Sequence, residues 1–288
     1  MMCDQAEKLR RRLQDVTIPV HGKTIAVVSG KGGVGKSNVA LNFSLELLNR
    51  GKKVLLLDLD VGMGNIDILL GLSSEKTIVD LFTGHLSIHD IIESGPRGLA
   101  YIAAGSGLDH FLTLDAAEKE SFFLQYEELI TLYDYIVFDI GAGATEDSLS
   151  FVVASDECIV VTTPEPTSIT DAYSMIKHIV IYRPDMPISV IMNRAKSAKS
   201  GEQALSRFQR VIKQFLNTEI QKLGILPDDK TVSDAVIRQI PFILLNEKSH
   251  ISRAVKGIVD DYLMEKSNLS KKASASFVQR LKLLMLGR

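Results

Sequence analysis

The chain has 288 residues, of which 45% are hydrophobic and 24% charged, and its formal net charge at pH 7 is −2. This composition is typical of a globular protein with a sizeable core; it gives no sign of a nucleic-acid coat, and no run of 18 apolar residues predicts a membrane span. The first fifteen residues lack the apolar stretch of a signal peptide, and Cys3 and Cys158 are far apart, so we expect a reducing cytoplasm with neither a disulfide framework nor a zinc site.

The N-terminal segment, residues 1–21, contains a short charged stretch with helical character. Basic residues give it positive charge, and Leu9 and Leu13 lie on one helical side. We expect an interaction segment attached to a nearly neutral body. A disordered leader is the alternative.

From residue 22 to about 265, short apolar runs alternate with longer helical patterns. The predicted strands are Thr24–Val28, Val54–Asp58, Leu99–Ala104, Tyr135–Asp139, Glu157–Thr162, Ile188–Met192 and Leu223–Leu226. The predicted helices lie near Val39–Leu48, Ala116–Leu132, Ile169–Tyr182, Glu202–Gln221 and Ile251–Met264. Continuously apolar strands alternating with helices predict one α/β domain, a doubly wound, mostly parallel sheet with helices on both faces. Ligands should gather beyond the carboxyl ends of the strands.

Directly after the first predicted strand, residues 30–37 fit the pattern G-x-x-x-x-G-K-[ST]. Strand, glycine loop and helix N-terminus in this order form a phosphate site, because the backbone N–H groups and the helix dipole both attract an anion. In such a loop Lys36 reaches the β- and γ-phosphates, and the Ser37 hydroxyl binds Mg²⁺. The other residues expected around the nucleotide's phosphates are Gly32, Gly33, Val34, Gly35 and Asn38.

A second lysine, Lys31, follows the first glycine of this loop. Because Lys36 already serves the bound nucleotide, a second ammonium at the start of the loop is more useful to a phosphate elsewhere. A solvated surface lysine is the alternative.

Acidic residues leave the second predicted strand at the expected ligand edge. Asp58 and Asp60 can face magnesium or water there, and Gly62 and Gly64 would let the following loop move with the nucleotide state. An ordinary Asp-Gly turn is the alternative.

Three later strands also end in polar groups. Asp139 ends an apolar strand before a glycine-rich segment, in the form of a Walker B strand, and we expect it to hold Mg²⁺ through water. Asn193 and the pair Pro227–Asp228 end two other strands, and the Asn193 amide offers the donor and the acceptor that suit a purine edge. No N-K-x-D guanine signature is visible, which favours ATP over GTP. Two polar turns without a ligand are the alternative.

The C-terminal segment, residues 266–288, is basic and predicts an amphipathic helix. Its predicted membrane-facing side chains are Phe277, Val278, Leu281, Leu284 and Met285. A helix of this kind can lie in an anionic membrane surface. The alternative is a helix packed on the protein body, and the two agree if ATP releases a packed helix.

The phosphate loop resembles that of the deviant Walker A group, the MinD/ParA ATPases, whose K-G-G-x-G-K-[ST] is matched by Lys31–Ser37. The resemblance implies that Lys31 crosses a homodimer interface and touches the partner's ATP, as an arginine finger does elsewhere. It implies that Asp60 positions or activates the attacking water and that Asp58 supports the metal site from the second shell. In the family, residues matching Asn193 and Pro227–Asp228 embrace the adenine.

The N-terminal D-Q-A-x-x-L-R element, residues 4–10, resembles that of the FlhG (YlxH, FleN) branch of flagellar-number ATPases. In this branch the segment stimulates FlhF, a signal-recognition-particle-type GTPase, which implies that Gln5, with Leu9 and Arg10, contacts such a partner. Proteins of the flagellar switch ring (C-ring) are the other partners implied. MinD has D-x-P-A-G after its Walker B strand, whereas this chain has Gly141 in place of the proline, which separates it from MinD proper.

These features and the resemblance together predict a cytoplasmic, Mg²⁺-dependent ATPase that dimerises with ATP, hydrolyses it slowly and attaches reversibly to the membrane. The resemblance alone implies that it controls flagellar number or placement. Three alternatives stay open. A MinD-type cell-division ATPase would not need the N-terminal extension. A ParA-like DNA-partitioning ATPase should carry a basic surface, so we expect no nucleic-acid partner. An iron–sulfur carrier needs bridging cysteines that Cys3 and Cys158 do not supply.

Overall fold

An eight-stranded sheet organises the part of the chain that the computed structural model describes, residues 22–60, 64–74, 76–77, 80, 86–104, 116–143, 146–267 and 276–286. The strands are β1 (Lys23–Val28), β2 (Val54–Leu59), β3 (Glu93–Ser94), β4 (Ala100–Ile102), β5 (Tyr135–Ile140), β6 (Glu157–Thr162), β7 (Ile188–Ala195) and β8 (Gln221–Pro227). Their order is β3-β4-β2-β5-β1-β6-β7-β8, and every neighbouring pair is parallel except β3 with β4. The predicted sheet is confirmed.

Helices cover both faces of this sheet. They are α1 (Lys36–Asn49), α2 (Ile66–Leu70), α3 (Ala116–Leu132), α4 (Glu146–Ala154), α5 (Pro166–Tyr182), α6 (Ala198–Leu216), α7 (Lys230–Arg238), α8 (Phe242–Leu245), α9 (His250–Ser267) and α10 (Phe277–Leu286), with 3₁₀ turns at Ile88–Ile91 and Pro96–Gly98. One hydrophobic core joins one face of the sheet to α1, α8 and α9, and a second joins the opposite face to α3, α4, α5, α6 and α10. Strands buried on both faces explain why β2 and β5 are apolar almost throughout.

Two kinds of difference separate the predicted elements from the observed ones. The helix predicted to run to Gln221 ends at Leu216, because Asn217 adopts a left-handed φ of 51° and Gln221 opens β8. The helices α2, α4, α7 and α8 and the strand β3 were not predicted, because elements of two to nine residues offer too few positions to establish a hydrophobic period from the sequence.

The C-terminal helix α10 lies against the protein body. Phe277, Val278 and Leu281 are buried in the same core as α3 and α4. The Phe277 ring lies 4.9 Å from that of Tyr126 and 5.2 Å from that of Phe138, centroid to centroid. The side predicted to face a membrane therefore faces the protein in this conformation, and the predicted membrane binding through this side would require release of the helix.

Polar contacts also fasten α10. Arg280 Nε donates to the Ala154 carbonyl at the end of α4, and Arg280 Nη2 donates to Asp156 Oδ1, both at 2.6 Å. Leu284 is partly buried, and the Met285 side chain lies outside the described residues. Among the described helices, none combines the length and the apolar character needed to cross a bilayer.

Candidate nucleotide-binding site

The phosphate loop between β1 and α1 has a backbone that requires glycine at several positions. A Cβ atom at Gly30 would lie 2.1 Å from the Asp171 carbonyl group, so no larger residue fits. Gly33 and Gly35 have φ angles of 78° and 90°, a region that favours glycine. No described side chain caps the start of α1, so its first N–H groups are free to bind an anion.

Lys36 lies at the centre of the site, with 6% of its side chain exposed. Its Nζ atom is 2.5 Å from Asp139 Oδ1, 3.4 Å from Ser37 Oγ and 3.7 Å from Asp60 Oδ2. The ammonium therefore sits among the side chains predicted to hold the metal and the attacking water.

Asp139 fits the predicted magnesium site. Burial raises the pKa of Asp139, and the Lys36 ammonium acts in the opposite direction and keeps the buried carboxylate paired. Asp139 Oδ2 is buried and has no hydrogen-bond partner among the described residues, so it can accept from a metal-bound water. In the described part of the chain, no group of three His, Cys, Asp or Glu side chains could hold a metal, so Mg²⁺ would take its other ligands from Ser37, phosphate and water.

Asp58 anchors the chain on both sides of residues 61–63. Its Oδ1 accepts the Asp60 N–H at 3.0 Å, and its Oδ2 accepts the N–H groups of Asn65 at 2.8 Å and Ile66 at 3.0 Å. Burial and the neighbouring Asp139 charge raise the pKa of Asp58 to about 7, although the three N–H groups oppose this shift. Both oxygens are therefore engaged by the backbone, and support of the metal from the second shell stays a prediction.

Asp60 lies at the rim of the site, with 21% of its side chain exposed. Asn65 Nδ2 is 3.4 Å from Asp60 Oδ2. A Cβ atom at Gly141 would lie 3.1 Å from Asp60 Oδ1, closer than an unstrained contact, so the glycine leaves room for this carboxylate. Neither the Asn65 contact nor the Gly141 contact with Asp60 was predicted from the sequence.

Lys31 lies apart from the cluster around Lys36. Its side chain is 44% exposed, and its Nζ is 3.3 Å from Thr167 Oγ1 and 3.9 Å from Glu165 Oε2. The two lysines thus have separate surroundings, as expected if Lys31 does not serve its own nucleotide. Glu165 and Thr167, which follow β6, were not predicted to contact it.

The predicted adenine residues lie towards the carboxyl ends of the neighbouring strands β7 and β8. The Asp228 N–H donates to the Ala195 carbonyl at 3.0 Å, and the Asp228 side chain is exposed. Asn193 is buried and reaches the phosphate loop instead, where its Nδ2 donates to the Val34 carbonyl at 2.8 Å. Which of these side chains contacts the base stays a prediction.

Some predicted functional residues lie outside the described residues. These are the N-terminal partner-binding residues Gln5, Leu9 and Arg10, together with Gly62.

Comparison with known proteins matches residues 25–242 to the CobQ/CobB/MinD/ParA nucleotide binding domain. The chain is 34% identical to antiactivator FleN of Pseudomonas aeruginosa over 82% of this chain and 84% of that protein. It is 35% identical to the flagellum site-determining protein YlxH of Helicobacter pylori over 71% of this chain and 69% of that protein. The septum site-determining protein MinD of Pyrococcus horikoshii, solved with Mg-ADP, has the same fold, with a TM-score of 0.69 at 23% identity over 88% of this chain and all of that chain.

Proposed function

Since the chain belongs to the CobQ/CobB/MinD/ParA family of nucleotide-binding domains, we propose that it is a Mg²⁺-dependent ATPase that dimerises with ATP and controls flagellar number or placement. One observation carries the proposal. A phosphate loop with an uncapped helix start holds Lys36 against Asp139 and near Asp60, while Lys31 stands outside this cluster. The relatives named antiactivator FleN and flagellum site-determining protein YlxH support the flagellar output.

Nucleotide binding exchanges one partner of Lys36 for another. Without nucleotide, the ammonium neutralises the buried Asp139 carboxylate at 2.5 Å. The phosphates bring negative charge to the loop's N–H groups, and Lys36 turns towards them. Ser37 and, through water, Asp139 would then hold Mg²⁺, whose charge offsets that of the β- and γ-phosphates.

Dimerisation uses Lys31. Its contacts with Glu165 and Thr167 are exposed, and an exposed ion pair contributes only about 0–1 kcal/mol. Lys31 can therefore leave them at little cost and reach the nucleotide of a second subunit. Asp60, at the rim of the cluster, orients the water that attacks the γ-phosphate, and slow hydrolysis returns the protein to the monomer.

Membrane attachment depends on α10. Phe138, which packs on Phe277, directly precedes Asp139 in β5, and α4, which packs on α10, begins just after the glycine-rich segment that follows Asp139. A nucleotide-dependent movement of that segment would shift α4 and weaken the packing of α10. The released helix would then insert Phe277, Val278, Leu281 and Leu284 into an anionic membrane surface.

The flagellar partners rest on resemblance. Gln5, flanked by Leu9 and Arg10, would dock on an FlhF-type GTPase, where a glutamine amide can orient an attacking water. Proteins of the flagellar switch ring would bind the ATP-bound dimer.

Two experiments test the proposal. In light scattering with ATP, Asp60→Ala should bind nucleotide and accumulate as a dimer, whereas Lys36→Ala should bind ATP roughly 100-fold more weakly and stay monomeric. In the source organism, deletion of the gene should change the number or position of flagella counted by electron microscopy, and the wild-type gene but not Lys36→Ala should restore it. A monomeric, ATP-bound Asp60→Ala protein contradicts the switch, and unchanged flagella contradict the output.

A further inference from the structure

The carboxamide of Asn193 connects the end of β7 to the phosphate loop, although β7 lies two strands away from β1 in the sheet. The residue is 8% exposed. Its Nδ2 donates to the Val34 carbonyl at 2.8 Å, and its Oδ1 accepts the Arg194 N–H at 2.9 Å. These two bonds fix which end of the amide faces the loop. In a flipped amide the oxygen would face the Val34 carbonyl, another acceptor, and the NH₂ group would face the Arg194 N–H, another donor.

Gly35 is shaped by the same contact. Its φ is 90°, and a Cβ atom there would lie 2.5 Å from Asn193 Nδ2. On the other side of the amide, Arg194 has a φ of 54°, a left-handed conformation that is uncommon for a residue with a side chain. The loop and the amide are therefore built against each other on both sides.

We propose that Asn193 is a positioning residue for the phosphate loop. It promotes binding of the di- or triphosphate moiety of the nucleotide, whatever the base. A trans peptide points its C=O and N–H groups in opposite directions. By holding the Val34 carbonyl on the outside of the loop, Asn193 turns the Gly35 N–H towards the bound phosphates. This inference rests on the proposed nucleotide binding, and it gives Asn193 a task different from the adenine contact predicted from the sequence.

The test compares a ligand with a base and a ligand without one. Asn193→Leu has a similar volume but neither hydrogen bond, and Asn193→Ala truncates the side chain. Both substitutions should weaken the binding of MgATP and of inorganic tripolyphosphate by the same factor. We expect about tenfold, for the loss of one buried hydrogen bond that orders the loop. Affinities are measured by competition against fluorescently labelled ATP. In the ligand-free protein, the Gly35 amide resonance should move in both variants.

Asn246→Ala is the matched control. The Asn246 Oδ1 accepts the Lys248 N–H at 3.1 Å in an exposed turn after α8, so its truncation should leave both affinities and the Gly35 resonance unchanged. Thermal unfolding verifies that the variants are folded.

Three results would overturn the inference. The first is an Asn193→Leu protein that loses affinity for ATP but keeps it for tripolyphosphate, which makes Asn193 a reader of the base. The second is wild-type affinity for both ligands, and the third is tripolyphosphate that does not displace labelled ATP from the wild type. A wild-type protein that binds no ATP contradicts the proposed function instead.

Discussion

Different forces stabilise two regions of the molecule. The first is the nucleotide edge, around Lys36 and Asp139, and the second is the seat of α10, the apolar site formed by Tyr126 and Phe138. At the nucleotide edge, Lys36 and Asp139 form an ion pair that a phosphate and a metal can replace. At the seat of α10, Phe277 packs among aromatic rings. No charged ligand can replace these apolar contacts, so α10 can leave only into water or into a lipid surface. The two regions meet in β5, whose consecutive residues Phe138 and Asp139 point to opposite faces of the sheet. One strand thus presents a charge to the ligand and a ring to the helix.

The largest expected effect comes from emptying the seat of α10. Phe277→Ala removes a buried ring and should lower the free energy of unfolding by about 3–5 kcal/mol, measured by denaturant titration. ATP affinity should stay unchanged, and the liposome binding that Val278, Leu281 and Leu284 still support should be weaker but should no longer need ATP. Leu283→Ala is the control on the same helix, because Leu283 is 73% exposed and should change stability by less than about 0.5 kcal/mol. Equal losses in the two variants would mean that α10 is not packed as described.

The next effect in size concerns the other region. Lys36→Ala should weaken ATP binding roughly 100-fold, as expected for the loss of charge-assisted hydrogen bonds to two phosphates. Isothermal titration calorimetry measures it. Anionic-liposome binding without ATP should stay as low as in the wild type, because the seat of α10 is intact. An affinity within a few-fold of the wild type would contradict the central place given to Lys36.

A smaller effect is expected from Gly141→Ala. The added Cβ would press on Asp60 Oδ1 at 3.1 Å and displace it, so the hydrolysis rate should fall by about tenfold while ATP affinity stays within about twofold. Phosphate-release kinetics under saturating ATP measures the rate. Gly98→Ala provides a glycine control with open space around its Cβ, although its φ of 79° will cost some stability. An unchanged hydrolysis rate in Gly141→Ala would contradict the claim that the glycine leaves the room that the Asp60 carboxylate needs for catalysis.

The smallest effect is a pH dependence. The pKa of Asp58 is raised to about 7, so between about pH 4 and 7 the unfolded chain loses this proton before the folded protein does. The free energy of unfolding should therefore fall as the pH rises through this window, by about 1–2 kcal/mol between pH 5 and 7 relative to Asp58→Asn. Parallel stability curves for the two proteins would contradict the raised pKa.

The features that could be predicted from the sequence are those that depend on residues close together along the chain. The phosphate loop and the seven longest strands follow from glycine spacing and from continuous apolar runs. Contacts across the chain could not be predicted. Asn193 meets Val34 from 159 residues away, and Gly141 meets Asp60 from the next strand.

The helix α10 shows the same limit from another side. Its apolar spacing predicted an amphipathic helix and left open whether a membrane or the protein would cover it. That choice depends on Phe138 and Tyr126, which belong to other elements, and no local pattern records it. A helical period identifies an apolar face but never its partner.

Hydrogen–deuterium exchange of the α10 amides tests most directly the link between the two regions. The Asp60→Ala protein should be measured without nucleotide, with ADP and with ATP, and Lys36→Ala, kept at an ATP concentration too low to saturate it, serves as the nucleotide-free control. Exchange over residues 277–286 should be slow without nucleotide and with ADP, and it should become fast only with ATP and only in Asp60→Ala. Slow exchange in the ATP-bound Asp60→Ala dimer would contradict this link between the two regions.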